Sequence, residues 1–166
     1  SNYIHTTRCG VQNKEAIVLL HGYGGSSILY FQMLKELSKK YRVYCIDMLG
    51  MGLFSRPEFN LQTTQECIDF FVDSLEAWRV IVGLDEKFSL GGHSLGGNIA
   101  CQYALKYQHN IKQLFLLSPI GVTKPSITLE ERFKGFSWFK RKSNRFVVSC
   151  CKKSWDDKLT PTKIVQ

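Results

Sequence analysis

Residues 90–97 read Leu-Gly-Gly-His-Ser-Leu-Gly-Gly, and the five at their centre, Gly92-His93-Ser94-Leu95-Gly96, have the form G-x-S-x-G. The pattern dictates a backbone shape before it dictates chemistry. A serine stands at the tip of a strained strand-to-helix turn only when small residues flank it on both sides. The same turn offers Ser94 as a covalent nucleophile. A serine hydroxyl is inert at neutral pH without a base, so the pattern also demands a histidine.

The flanking sequence supplies the strand and the helix. Phe88-Ser89-Leu90 reads as a strand running into the turn, and residues 94 to about 107 read as a helix. Upstream, Ala16-Ile17-Val18-Leu19-Leu20 is a continuous apolar run that feeds the glycine-rich turn His21-Gly22-Tyr23-Gly24-Gly25. Tyr30, Met33, Leu34 and Leu37 follow helical spacing. Arg42-Val43-Tyr44-Cys45-Ile46-Asp47 is another strand, closed by the loop Met48-Leu49-Gly50-Met51-Gly52. Thr63-Thr64-Gln65-Glu66 fits a capping box, followed by Ile68, Phe71, Val72 and Leu75 on one helical face, with a stop near Gly83. Gln113-Leu114-Phe115-Leu116-Leu117 is a fourth strand.

Strands alternating with helices at this spacing predict βαβ units and an α/β fold with a mostly parallel sheet. Right-handed crossovers then bring both glycine-rich turns to the carboxyl edge of the sheet, where open α/β sheets bind ligands. The pattern stops after Gly121. Residues 1–123 are expected to form the core, and residues 124–166 a basic, aromatic helical cap containing Phe133, Phe136, Trp138, Phe139, Phe146 and Trp155.

The charge supports that division. The chain of 166 residues carries a net +8, of which +1 falls in residues 1–123 and +7 in residues 124–166. Its 44% hydrophobic and 22% charged residues are ordinary for a globular domain. A polybasic segment favours phosphates on nucleic acid or on an anionic lipid surface. No recognised nucleic-acid module accompanies the charge, so no nucleic-acid partner is expected. The six cysteines, Cys9, Cys45, Cys67, Cys101, Cys150 and Cys151, form neither C-x-x-C pairs nor zinc spacing. Free thiols in a reducing, cytoplasmic setting are expected, with no metal and no cofactor.

Other readings of residues 91–97 fit less well. A Walker A loop needs a lysine and a hydroxyl after its last glycine, where Asn98 and Ile99 stand. The G-x-G-x-x-G dinucleotide spacing is absent. A plain glycine turn packing helix on sheet accounts for neither the serine nor the second turn. That second turn is expected to complete an oxyanion hole, with the backbone N–H of Leu95 as one donor and that of Tyr23 as the other. His21 and His93 are expected to be structural, His109 to face solvent, His5 to precede the first strand, and Asp47 to fix a loop.

On these residues the chain resembles the α/β-hydrolases, and more narrowly the α/β-hydrolase domain-containing protein 4 and 5 subfamily with its lipid-deacylating relatives. The matching segments are His21 to Gly25, Asp47 to Gly52 with Ser55-Arg56-Pro57, Ser74 to Arg79 with Gly83-Leu84-Asp85, and the Ser94 turn. Tyr103 to Tyr107, Ser118-Pro119-Ile120-Gly121 and Trp155 to Val165 complete the match. The resemblance implies a carboxylic ester hydrolase acting on a phospholipid or lysophospholipid through an acyl-enzyme on Ser94. Hydrolysis and acyl transfer share that intermediate, and a non-catalytic, lipid-associated adaptor is the alternative of another class. The family order places an Asp and then a His after the serine. Here only His109 and the acids Glu130, Glu131, Asp156 and Asp157 follow. The expectation is therefore a chain that ends within the cap, before the acid and base, and is nearly inactive alone. Lysines beside aromatics in the cap imply peripheral contact with an anionic membrane or lipid droplet.

Overall fold

A computed structural model describes residues 3–122, except 56 and 59. The elements are β1 (Thr6–Cys9), β2 (Ala16–Leu20), a 3₁₀ turn (Ser27–Tyr30), α1 (Phe31–Leu37), β3 (Arg42–Ile46), α2 (Thr64–Ile81), β4 (Phe88–His93), α3 (Leu95–Lys106), a second 3₁₀ turn (Gln108–Asn110) and β5 (Ile111–Leu117). They build one five-stranded sheet in the order β1-β3-β2-β4-β5. β3, β2, β4 and β5 run parallel, and β1 lies antiparallel on β3.

Side-chain alternation along the central strands separates two apolar layers. Ala16, Val18 and Leu20 of β2 join Tyr44, Ile46, Phe88 and Leu90 beneath α2 and α3. Ile17 and Leu19 join Val43, Cys45 and Tyr30 on the opposite face, with Leu34 and Leu37 of α1 against them. Fully buried side chains such as Val18, Val43, Phe88 and Leu90 contribute about 1.5–3 kcal/mol each.

α2 begins with the expected box. Glu66 N–H donates to Thr63 Oγ1 and Thr63 N–H donates to Glu66 Oε2, both at 3.1 Å. A polar node then ties α2 to α3. Arg79 grips Glu76 with two 2.9 Å hydrogen bonds and donates to Leu84 O at 2.6 Å, while Tyr103 OH donates to Glu76 Oε2 at 2.5 Å.

Three local readings need correction. β1 is an additional strand, polar in sequence and half-exposed at the sheet edge, so no apolar run announces it. The predicted inner face of α1 is only partly inward. Tyr30 belongs to the 3₁₀ turn and is buried, Leu34 and Leu37 are half-buried, and Met33 is exposed. The fourth predicted strand starts earlier, at Ile111, and the strand before Ser94 extends through His93. The predicted cap lies outside the described residues. Among the described residues no helix is long and apolar enough to cross a membrane, and Cys9, Cys45, Cys67 and Cys101 carry free thiols.

Candidate active site

Ser94 joins β4 to α3 with φ 53° and ψ −114°, a left-handed conformation that costs a non-glycine residue about 1–3 kcal/mol. The elbow is held from three sides. Ser94 N–H donates to Leu117 O at 3.0 Å, and Ser94 O accepts from Asn98 N–H and Ile120 N–H, both at 3.2 Å. The glycines around it are required by close approach. A Cβ on Gly92 would overlap the Gly96 backbone, and one on Gly96 would overlap the carbonyls of Leu20 and His21. The first turn of α3 therefore packs directly on the end of β2.

That packing brings the second glycine-rich turn to the serine. A Cβ on Gly22 would lie 3.2 Å from Ser94 Cβ and 3.0 Å from His93 Nδ1. Tyr23 follows immediately and is exposed. Gly25 N–H donates to Gly22 O at 3.1 Å and closes the turn, which Gly24 passes at φ +68°. The structure thus gathers His21, Gly22, Tyr23, Gly24 and Gly25 beside Gly92, His93, Ser94, Leu95 and Gly96.

His21 is fully buried with both ring nitrogens engaged. Met48 N–H donates to Nε2 at 3.0 Å. Since an amide can only donate, Nε2 is the acceptor, and Nδ1 carries the proton given to Gly22 O at 2.7 Å. Burial lowers its pKa, against the opposing pull of the Gly22 carbonyl and Asp47. A neutral ring with no free lone pair is a brace between two loops and cannot serve as a base.

Asp47 braces the same loops from the end of β3. Its Oδ1 accepts from Ser27 N–H at 2.5 Å, its Oδ2 accepts from Leu53 N–H at 2.8 Å, and His5 Nδ1 lies 3.1 Å from Oδ2. Burial pushes this carboxyl up, but the Leu53 and Ser27 amides, the Ser27 hydroxyl and His5 together hold it below the ordinary value. The loop-fixing role expected of Asp47 matches this geometry. Tyr30 adds a third brace. Its buried hydroxyl donates to Leu20 O at 2.8 Å, one residue before His21.

None of the described histidines is placed to activate Ser94. His5 directly precedes the edge strand β1, three strand spacings or about 14 Å across the sheet from β4. His109 follows the twelve-residue α3, about 18 Å along the helix from the elbow, and is exposed with its ring edge-on to Tyr107. His93 lays its buried Nδ1 against Gly22 without a hydrogen-bond partner. Sequence reasoning missed Tyr30 as a brace and His5 as the neighbour of Asp47. The signal for Tyr30 was an amphipathic residue with a polar tip in an otherwise apolar stripe.

Comparison with known proteins agrees with this architecture. Residues 15–147 match the family model described as the alpha/beta hydrolase fold. The chain is 33% identical over 167 residues to a 1-acylglycerol-3-phosphate O-acyltransferase of Arabidopsis thaliana, covering 100% of this chain and 38% of that protein. It is 40% identical over 123 residues to the 1-acylglycerol-3-phosphate O-acyltransferase ABHD5 of Homo sapiens, covering 74% of this chain and 35% of that one. The chain thus spans little more than a third of the length of these relatives. Among solved structures it resembles a putative lipase from Acinetobacter baumannii at TM-score 0.69 and 23% identity, over 80% of this chain and 45% of that one. A serine hydrolase from the bacterium Cycloclasticus zankles is similar at TM-score 0.67 and 24% identity, over 75% and 46% of the two chains.

Proposed function

Since this chain belongs to the alpha/beta hydrolase fold family, we propose that it supplies the nucleophile side of a lipid-ester active site. Ser94 Oγ attacks the acyl carbonyl, its proton passes to a base outside the described residues, and the base returns that proton to the ester oxygen as the C–O bond breaks, so that the alcohol leaves and an acyl-enzyme remains. The backbone amides of Leu95 and Tyr23 hold the oxyanion, each such donor being worth about 2.7–4 kcal/mol in the transition state. The observation that carries the reading is the strained Ser94 at φ 53°, beside a glycine turn braced by His21 and Asp47.

Acyl transfer to a lipid alcohol is the second reading, favoured because the similar proteins of Arabidopsis thaliana and Homo sapiens are named as acylglycerol-phosphate acyltransferases. Water and a lysophospholipid hydroxyl compete for the same acyl-enzyme. The cytoplasmic setting and the peripheral contact of the basic segment with anionic lipid belong to the same proposal.

A fluorophosphonate probe tests the nucleophile. Without the histidine, rate falls by about 10⁶, so labelling of this chain is expected to be slow, confined to Ser94 and lost in Ser94→Ala. Labelling at other residues with Ser94 untouched would overturn the reading. Rapid labelling of Ser94 would place a base within these 166 residues.

A further inference from the structure

The Leu95 N–H belongs to the same peptide bond as the Ser94 carbonyl. A trans peptide is planar, so its N–H points opposite to its C=O. Whatever holds the Ser94 oxygen therefore aims the Leu95 hydrogen. That oxygen accepts two hydrogen bonds, from Asn98 N–H and from Ile120 N–H, each at 3.2 Å, which fills both of its lone pairs. The first is the ordinary bond that closes the opening turn of α3. The second reaches in from the loop after β5.

Three contacts keep that loop on α3. Ser118 turns at φ 46°, and among the described residues it and Ser94 are the non-glycine residues in the left-handed region. Such strain persists only where the surroundings hold it. Here Ser94 N–H donates to Leu117 O at 3.0 Å, one residue before Ser118. A Cβ on Gly97 would lie 2.9 Å from Pro119 Cβ, so Pro119 rests on the start of the helix. Gly121, at φ +67°, passes so close that a Cβ there would come within 3.0 Å of Asn98 Nδ2. The Asn98 side chain closes the ring, with Nδ2 donating to Ile120 O at 2.9 Å. Ile120 is thus bonded through its N–H to Ser94 and through its C=O to Asn98.

We propose that Asn98 is a positioning residue for the oxyanion hole, holding Ile120 so that its N–H fixes the direction of the Leu95 N–H. The inference rests on the reading of Leu95 as an oxyanion donor and says what aims it. A hydrogen bond accepted by a carbonyl also polarises the N–H of the same peptide. The Ile120 bond therefore strengthens the donor as well as orienting it. The Asn98–Ile120 bond itself is solvent-exposed, and an exposed neutral bond adds little to stability. Its effect is expected on reaction at Ser94 rather than on folding.

Labelling of the 166-residue chain by a fluorophosphonate, resolved into KI and kinact, tests this, because the phosphoryl oxygen of the adduct takes the place of the oxyanion. Asn98→Ala and the volume-keeping Asn98→Leu should each lower kinact at least about tenfold, less than the loss of a whole donor, with KI unchanged. Asn13 is the control. It clamps Ser38 O at 2.8 Å and Tyr41 O at 3.1 Å at the opposite edge of the sheet, and Asn13→Ala should label at the parental kinact. A parental kinact in both Asn98 variants, a change in KI alone, or equal slowing by Asn13→Ala would each overturn the proposal. Amide hydrogen exchange at Ile120 needs no nucleophile and should quicken about tenfold or more in the Asn98 variants. An Ile120 amide that exchanges alike in parent and variants overturns the proposal whether or not Ser94 labels. Quickened exchange in a chain whose Ser94 never labels supports the clamp and faults only the nucleophile reading.

Discussion

The hydroxyl of Tyr30 donates to the carbonyl of Leu20 at 2.8 Å, and this bond anchors the end of β2 one residue before the turn that faces Ser94. Burial, first, and then the neighbouring Cys45 push the phenol up to about 12, against a hydrogen bond from the His93 backbone. The donor therefore stays protonated across the working range. Tyr30→Phe leaves the Leu20 carbonyl short of a partner inside an apolar cluster. A loss of about 1–3 kcal/mol in urea unfolding is expected, together with slower labelling of Ser94.

His21 makes stability depend on pH in one direction. Its folded pKa lies below the ordinary 6.5, so the unfolded chain takes up a proton before the folded chain does. The contribution is complete above about 6.5 and is lost as the pH falls below it. Asp47, also lowered, adds its loss only below the ordinary carboxylate range. Urea midpoints at about pH 7.5 and about pH 5.5 should fall on acidification, and His21→Asn should flatten that fall. An unchanged slope in the variant would remove His21 as the cause.

Strain at the elbow predicts a gain of stability on loss of the nucleophile. Glycine adopts the φ 53° of Ser94 without the side-chain penalty. Ser94→Gly should raise unfolding stability by about 1 kcal/mol while abolishing fluorophosphonate labelling. A destabilised Ser94→Gly would show that the serine side chain contributes packing that outweighs its strain.

Gly96 is expected to be the least tolerant position of the site. A methyl there overlaps the carbonyls of Leu20 and His21, which are backbone atoms and cannot swing aside. Gly96→Ala should cost about 3 kcal/mol in thermal or urea unfolding. The surviving folded fraction should label more slowly, because the displaced atoms lead into the Gly22-Tyr23 turn.

The parallel core was legible because strands buried on both faces read as unbroken apolar runs, as in Ala16 to Leu20. The elbow was legible because its glycines are imposed by backbone contacts only about four residues apart, Gly92 on Gly96. β1 was not, since Thr-Thr-Arg-Cys at a half-exposed edge has no period to detect. The braces were partly hidden for a different reason. His21 and Asp47 can be located at strand ends, but their donors, Met48, Ser27 and Leu53, sit on loops whose paths no periodicity encodes. The Glu76–Tyr103 bond spans 27 residues and leaves no local trace in either helix.

β5 carries the apolar run Leu114 to Leu117, yet each of the four is 36–42% exposed, and its outer edge pairs with no described strand. Its backbone is already held in register by β4 from Phe88 to His93. A strand so held is a template, ready to accept any extended segment that reaches it. The order in which the sheet is assembled thus becomes a matter of timing. On a ribosome the four strands inward of β5 can be in place while this ribbon is still bare. The longer that ribbon stays bare, the more of the newly made protein is lost to clumping.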